Sequence, residues 1–276
     1  MQLMFEVPQS LSPSRVQGFL SCPMQFRFAS IERLPEPPSI HTTRGSLVHR
    51  ALELLFTAPA PARTPARLAA SVETALDEYR LHADLVDLAL DDEQLAAFEQ
   101  ECRDLAMNYL RMEDPTTVHD VGVELRLEAT VGSLALRGII DRLDLDADGE
   151  LVVTDYKTGR APSTNYEQQS LAGVHFYSFL CTEVLGRRPR AIRLMYLRTG
   201  ETITTTPSDQ SVRFLTTRTQ AVWKAVETAC RTGDFRPRQS SLCTGCAFRD
   251  WCPAFGGDPA LAAVEAPLRY RPLAAA

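Results

Sequence analysis

Lysine is almost missing from this chain. Lys157 and Lys224 stand alone against 27 arginines. Positive charge as a whole is also short: 29 basic residues face 35 acidic ones, for a net charge of −6. That balance excludes a protein that holds nucleic acid simply by being basic, although a local basic groove is compatible with it. No run of 18 apolar residues occurs. The best stretch, Leu171 to Leu185, is interrupted by His175, Ser178, Thr182 and Glu183, so no membrane-spanning helix is expected. Met1 to Ser10 lacks a basic region followed by an apolar one, and a cytoplasmic protein without membrane association is the expectation. There is no internal repeat and no G-x-x-x-x-G-K-[ST] phosphate loop.

What is present describes an ordinary globular chain of 276 residues, 45% hydrophobic and 23% charged, with ample length for a core. Ser12-Pro13 reads as the cap and first residue of a short helix to Leu20. Leu47, Val48, Ala51, Leu52 and Leu55 fall at helical spacing in a second helix, about Thr43 to Phe56. An Ala/Pro-rich linker follows, then two amphipathic helices, roughly Pro65–His82 and Asp92–Met112. The pattern then turns to period two. Three strands are expected around Val121–Leu127, Leu134–Leu145 and Leu151–Asp155, with a hairpin at Asp146-Ala147-Asp148-Gly149. A helix over Asn165–Leu185, strands at Ala191–Arg198 and Glu201–Thr206, and a helix from Ser208 to Arg231 complete the series. The last 45 residues read as loops. This order predicts an α/β or α+β core carrying an N-terminal helical insertion.

Asp155 and Lys157 are two apart on a strand, so their side chains share one face. Asp141 stands fourteen residues earlier, the separation that one hairpin needs to bring it alongside. Two converging carboxylates make a hard oxygen site suited to Mg²⁺ or Mn²⁺, and a lysine beside it can stabilise charge on a phosphate. His49, following Gly45 on the second helix, is a further candidate ligand. Asp144-x-Asp146-x-Asp148-Gly149 matches the start of a calcium loop, but strands rather than helices flank it. A polar turn is the simpler reading.

Cys243-x-x-Cys246 and Cys252-Pro253 supply three closely spaced thiols, and Cys22-Pro23 is the best candidate for a fourth. Four thiolates suit Zn²⁺ or a [4Fe–4S] cluster. Cys102, Cys181 and Cys230 fall inside expected helices and read as buried core thiols.

Taken together, Leu11-Ser12-Pro13-Ser14, Cys22-Pro23, Gly45 to His49, Gly138-x-x-Asp141-Arg142, Asp155-Tyr156-Lys157-Thr158-Gly159 and the C-terminal cysteines resemble the RecB-family branch of the PD-(D/E)XK nucleases. They are most similar to its iron–sulfur members, the CRISPR-associated four-cysteine exonucleases and the AddB nuclease domain. The resemblance implies one nuclease domain over residues 1–276. Its restriction-endonuclease-like core would be a mixed central sheet flanked by helices, with a helical insertion at 57–115, a cysteine segment at 236–256 and a tail at 257–276. It implies a metal-dependent deoxyribonuclease, an exonuclease on single-stranded DNA or DNA ends, working in repair, recombination or CRISPR-related processing with helicase or other partner proteins. His49, Asp141, Asp155 and the Tyr156 carbonyl would bind Mg²⁺ or Mn²⁺. Asp141, Asp155 and Lys157 would be catalytic, with Lys157 orienting or activating water. Cys22, Cys243, Cys246 and Cys252 would hold the [4Fe–4S] cluster. The family places a Gln four residues before a Tyr on the following helix to grip DNA. Here Tyr177 is preceded at that spacing by Gly173, with Gln168 and Gln169 one to two turns upstream. Arg15, Arg44, Arg142, Arg160 and Arg198 are the phosphate-contact candidates. A non-catalytic iron–sulfur DNA-binding or assembly subunit is the alternative reading, and a redox carrier a third.

Overall fold

The computed structural model describes residues 4–131, 134–161 and 176–270. Helix α1 (Pro13–Ser21) starts where Ser12 accepts the Arg15 amide and Pro13 fills the first turn, a position where proline's missing N–H costs nothing. A short α2 (Pro23–Phe26) follows Cys22 directly. Helix α3 (Ile40–Phe56) begins one turn earlier than the spacing predicts. Helices α4 (Pro65–Arg80), α5 (Ala83–Val86) and α6 (Asp92–Asn108) come next, α6 opening on a capping box between Asp91 and Gln94.

Five strands form one sheet in sequence order: β1 (His119–Val131), β2 (Leu134–Leu145), β3 (Leu151–Lys157), β4 (Ala191–Tyr196) and β5 (Glu201–Thr205). β1–β2, β2–β3 and β4–β5 are antiparallel, whereas β3–β4 is parallel. A parallel pair needs a crossover, and helix α7 (residues 176–185) lies within that connection. The β2–β3 hairpin turns at Asp146, whose carboxylate accepts the amides of Asp148 and Glu150, and Gly149 takes φ +77°. Helix α8 (Asp209–Thr232) runs from a Ser208 capping box to a left-handed Gly233.

Two cores sandwich the sheet. On one side Leu136, Ile140, Val153, Ile192 and Leu194 pack with α1, α7, α8 and the cysteine segment. On the other, Tyr156 and Met195 pack with α3, α4 and α6. The helices of the predicted insertion therefore complete a core with α3. Each fully buried Leu or Phe contributes about 1.5–3 kcal/mol of hydrophobic stabilisation, so both layers hold the sheet between them. Residues 257–270 depart from the loop reading. They include α9 (Ala262–Arg269), which buries Ala262 and Ala266 and docks on the cysteine segment through Glu265, which accepts from the Trp251 indole at 2.6 Å. Pro267 inside α9 and the lack of a capping side chain hide it from propensity.

Candidate functional site

The β2–β3 register pairs Arg142 with Thr154, so the next position up the ladder sets Asp141 opposite Asp155. The Asp141 carboxylate accepts the Tyr156 amide at 2.7 Å. Asp155 is buried, and the Lys157 ammonium stands 2.5 Å from its Oδ2 while 44% of the lysine side chain stays exposed. The pair predicted from strand alternation is therefore formed, with its cation open to a substrate.

Helix α3 brings His49 to the same place. Its Nε2 lies 2.9 Å from the Tyr156 carbonyl, which accepts that N–H, and its Nδ1 lies 3.6 Å from Asp141. Gly45, one turn earlier, faces Thr158 so closely that a Cβ there would sit 3.4 Å from the Thr158 hydroxyl. An alanine there would just touch that hydroxyl, so Gly45 marks a close approach of α3 to the segment after the Asp-x-Lys strand. Gly138 acts similarly on β2: a Cβ there would lie 2.9 Å from Leu180 and 3.2 Å from the Tyr177 ring. Its absence lets Tyr177 approach the carboxylates.

The structure adds a residue that sequence reasoning missed. Ligand atoms of His49, Glu124 and Asp141 all lie within 4.8 Å of one another. Glu124 has φ +48°, and the β1–β2 ladder pairs Val123 with Arg142 and Leu125 with Ile140 but skips the 124/141 step. A left-handed non-glycine residue in a strand is strained by about 1–3 kcal/mol and tends to mark a working site. The observable signal in the sequence is only a glutamate among alternating apolar residues.

The electrostatics are those of a cation site. Burial and then the Asp155 charge push the Asp141 carboxyl up, to about 8. Burial and then Asp141 raise Glu124. Burial lowers His49, keeping its imidazole neutral and able to bind a metal. Burial opposes charge on Lys157, but Asp155 and Asp141 outweigh it and hold the ammonium above its ordinary range. These oxygen and imidazole donors fit Mg²⁺ or Mn²⁺.

Arg142 is corrected. It is fully buried and cannot meet a phosphate, because Asp144 binds it through two oxygens at 2.7 and 3.0 Å and Tyr109, Glu113 and Tyr156 take a remaining N–H. It ties β2 and β3 to the chain following α6. Arg44 is likewise buried, on Glu101 and His41. Arg198 holds Glu101 and the Thr158 carbonyl, so it braces the loop after Lys157. Arg15 donates to the Ser10 carbonyl. Arg160 is exposed, and Tyr177 is half-buried with a hydroxyl pushed up by burial and by the three site carboxylates. Gln168, Gln169 and Gly173 lie outside the described residues.

A second cluster sits at the far side of α1. Cys22, Cys243, Cys246 and Cys252 line one cavity walled by Met24, Phe28 and Phe248. Each sulfur meets a backbone N–H: Arg238 on Cys22 and Ser240 on Cys243, both at 3.4 Å, Phe248 on Cys246 and Ala254 on Cys252. Burial pushes the Cys246 and Cys252 thiols up, and these donors oppose it by favouring thiolate over thiol. Cys102, Cys181 and Cys230 are buried in the two cores with thiols pushed up by burial to about 12, 12 and 11, as the core-thiol reading expects.

The family model described as the PD-(D/E)XK nuclease superfamily matches residues 10–253. The chain belongs to that superfamily. Members of this superfamily are typically metal-dependent nucleases, and the carboxylates, histidine and lysine just described lie within the matched span. Among solved structures, a protein from Eubacterium rectale named "putative exonuclease" is similar at a TM-score of 0.56. Its identity is 11%, over 86% of this chain and 87% of that one. The structure of SSO0001 aligns at a TM-score of 0.43 and 14% identity, over 90% and 88% of the two chains. At these identities the first likeness bears on the fold alone. No curated protein matches the chain. Among the described residues, no helix is long and apolar enough to cross a membrane.

Proposed function

We propose that this member of the superfamily is a Mg²⁺- or Mn²⁺-dependent deoxyribonuclease that works on single-stranded DNA or DNA ends. The observation that carries the reading is the convergence of His49, Glu124 and Asp141 beside the Asp155–Lys157 pair. His49, Glu124, Asp141, Asp155 and the Tyr156 carbonyl would hold the metal, which when bound polarises a phosphodiester and makes its water more acidic. Hydrolysis forms one P–O bond from water and breaks the P–O bond to a sugar oxygen, which takes up a proton. Lys157 stays protonated beside Asp155, so it acts as a donor that orients the water and neutralises the phosphate, rather than as a base. Asp155 fixes the ammonium's position, and the Tyr156 amide fixes Asp141.

The four N–H-supported sulfurs support a [4Fe–4S] cluster as the second cofactor. Four cysteines lining one cavity suit either Zn²⁺ or a [4Fe–4S] cluster, and the resemblance to the iron–sulfur members favours the cluster. The cluster would staple α1 to the C-terminal segment, in the manner of the iron–sulfur RecB-like exonucleases. Repair, recombination or CRISPR-related processing with a separate helicase is the setting this reading favours.

The test is degradation of labelled single-stranded DNA with Mg²⁺ or Mn²⁺ by wild type and Asp155→Ala. The reading expects wild type to cleave and the variant to lose at least about a thousandfold in rate. Equal cleavage by both, or binding without cleavage by wild type across both metals, would overturn it; the second outcome would favour a non-catalytic DNA-binding subunit.

A further inference from the structure

Lys157 is the last residue of β3, and its pairing with Tyr196 is the last rung of the β3–β4 ladder. Element ends fray, because their final pairs open at little cost. A lysine that must present its ammonium at one fixed place therefore needs the backbone beyond it held by other means. Two bonds from the turn after β4 do this. The Leu197 amide donates to the Lys157 carbonyl at 2.8 Å. The Arg198 Nε donates to the next carbonyl, that of Thr158, at 3.3 Å.

The second bond leads to a residue 97 positions earlier in the chain. The Nη2 of Arg198 donates to the Glu101 carboxylate on α6. The other oxygen of that carboxylate accepts from the Nη1 of Arg44 on α3, at 2.7 Å. One carboxylate thus joins two guanidiniums, from α3 and from the turn after β4. Burial opposes charge on Glu101, but Arg198 and Arg44 outweigh it and hold its carboxyl below the ordinary range. Arg44 immediately precedes Gly45, the residue that lies against the Thr158 hydroxyl. Thr158 is accordingly met from two sides, and both approaches run back to Glu101. Fixing an arginine side chain costs rotamer freedom. A charge-assisted bond to a carboxylate offsets that cost far better than a neutral carbonyl can alone.

We propose that Glu101 is a positioning residue for Lys157: it sets the Arg198 fork that fixes the Thr158 carbonyl, and so holds the end of β3 where the ammonium meets Asp155. The use of Lys157 in cleavage rests on the nuclease reading above, whereas its placement by Glu101 does not. Helix α6 then has a task in the site besides completing a core. Arg44 and Arg198 serve the reaction through this carboxylate rather than by touching a phosphate.

The scarcity of lysine makes the test direct. Full-length protein isotope-labelled at lysine Cε gives one signal each for Lys157 and Lys224 in a carbon–proton NMR spectrum. Lys224→Arg, on the exposed face of α8, tells them apart. Spectra are recorded in chelator at one pH, after thermal melting has established that each variant is folded. Arg198→Ala removes the fork yet leaves the buried Arg44 paired with Glu101, so no buried charge is stranded. Glu101→Gln keeps the shape but turns one acceptor oxygen into a donor facing a guanidinium. In both variants the Lys157 signal should move toward that of Lys224 and narrow as the side chain gains freedom. Arg103→Gln, which breaks an ion pair to Glu73 from the same helix, should leave the Lys157 signal in place, so it separates positioning from a general loosening of α6. With Mn²⁺ and single-stranded DNA, kcat of Arg198→Ala should fall by about tenfold to a hundredfold while KM stays within about twofold of wild type. A Lys157 signal at its wild-type position in folded Arg198→Ala would overturn the proposal. So would an equal displacement in Arg103→Gln, or a wild-type kcat in Arg198→Ala once its signal has moved. The spectra need no cleavage, so an inactive wild type would count against the nuclease reading alone.

Discussion

The two ligand clusters differ in how the protein prepares them. At the carboxylate site, burial brings Asp141, Asp155 and Glu124 together against their mutual repulsion, and burial and neighbouring charge raise Asp141 and Glu124. Charge there is held at a cost that a cation would relieve. At the cysteine site every sulfur meets a backbone N–H, yet burial outweighs those donors and pushes the Cys246 and Cys252 thiols up, so there too the anionic ligands await a cation. The first site stores strain, down to the left-handed Glu124 backbone, and lies where strands and α3 meet. At the second, the proposed cluster would close a loop of about 220 residues, which is where a clip restrains the unfolded chain most. On the proposed function, the contrast would separate a site arranged for chemistry from one arranged for stability.

The comparison breaks first, and by the largest margin, at the cysteines. Cys246→Ser should lose bound iron and lower the melting temperature by about 10 °C, while Mn²⁺ affinity at the carboxylate site changes less than about threefold. Iron content, a thermal melt and a Mn²⁺ titration on one preparation check this. A collapse of Mn²⁺ binding would show that the two sites are not separable.

Glu124 gives the next effect. Glu124→Gln should weaken Mn²⁺ binding by about tenfold to a hundredfold. Glu124→Gly should weaken it at least as much yet raise unfolding stability by about 1 kcal/mol, because glycine accepts φ +48° without strain. Urea midpoints measured beside the Mn²⁺ titration separate the ligand from the strain. A stabilised Gly variant that still binds metal fully would remove Glu124 from the ligand set.

A smaller effect is set by pH. In chelator, the folded protein holds a proton on Asp141 up to about 8, against an ordinary 3.8. Between those values the folded chain binds more protons than the unfolded one, so stability falls as pH rises through that window. Urea midpoints at pH 5 and pH 8 should decline in wild type and decline less in Asp141→Asn. Equal slopes would mean that the carboxylate is not held in its protonated form.

Much of this was readable in the chain itself, for definite reasons. Strand alternation places Asp155 with Lys157, and hairpin arithmetic places Asp141 beside them, because both depend on a period of two. Ser12 is legible as a helix cap because capping is local, and Asp91 and Ser208 cap their helices in the same way. What escaped depends on tertiary structure. Glu124 enters the site through one unusual backbone angle that no propensity marks. Arg142 looks like a surface cation beside Asp141, yet its partners arrive from β2, β3 and the segment following α6, so only the folded chain shows its burial. Helix α9 forms by docking on the cysteine segment rather than by its own preference.

The most direct test returns to the scarcity of lysine. Lys157→Arg keeps the charge but replaces a compact ammonium by a wide fork, at the one place where Asp155 positions a donor for a phosphate. Rates of single-stranded DNA cleavage should be compared for wild type and Lys157→Arg at matched Mn²⁺ occupancy, melting temperature and iron content. The expected result is a variant that keeps all three and loses about a hundredfold or more in rate. A variant that cleaves as fast as wild type would contradict the role assigned to Lys157 and, with it, the account of the site.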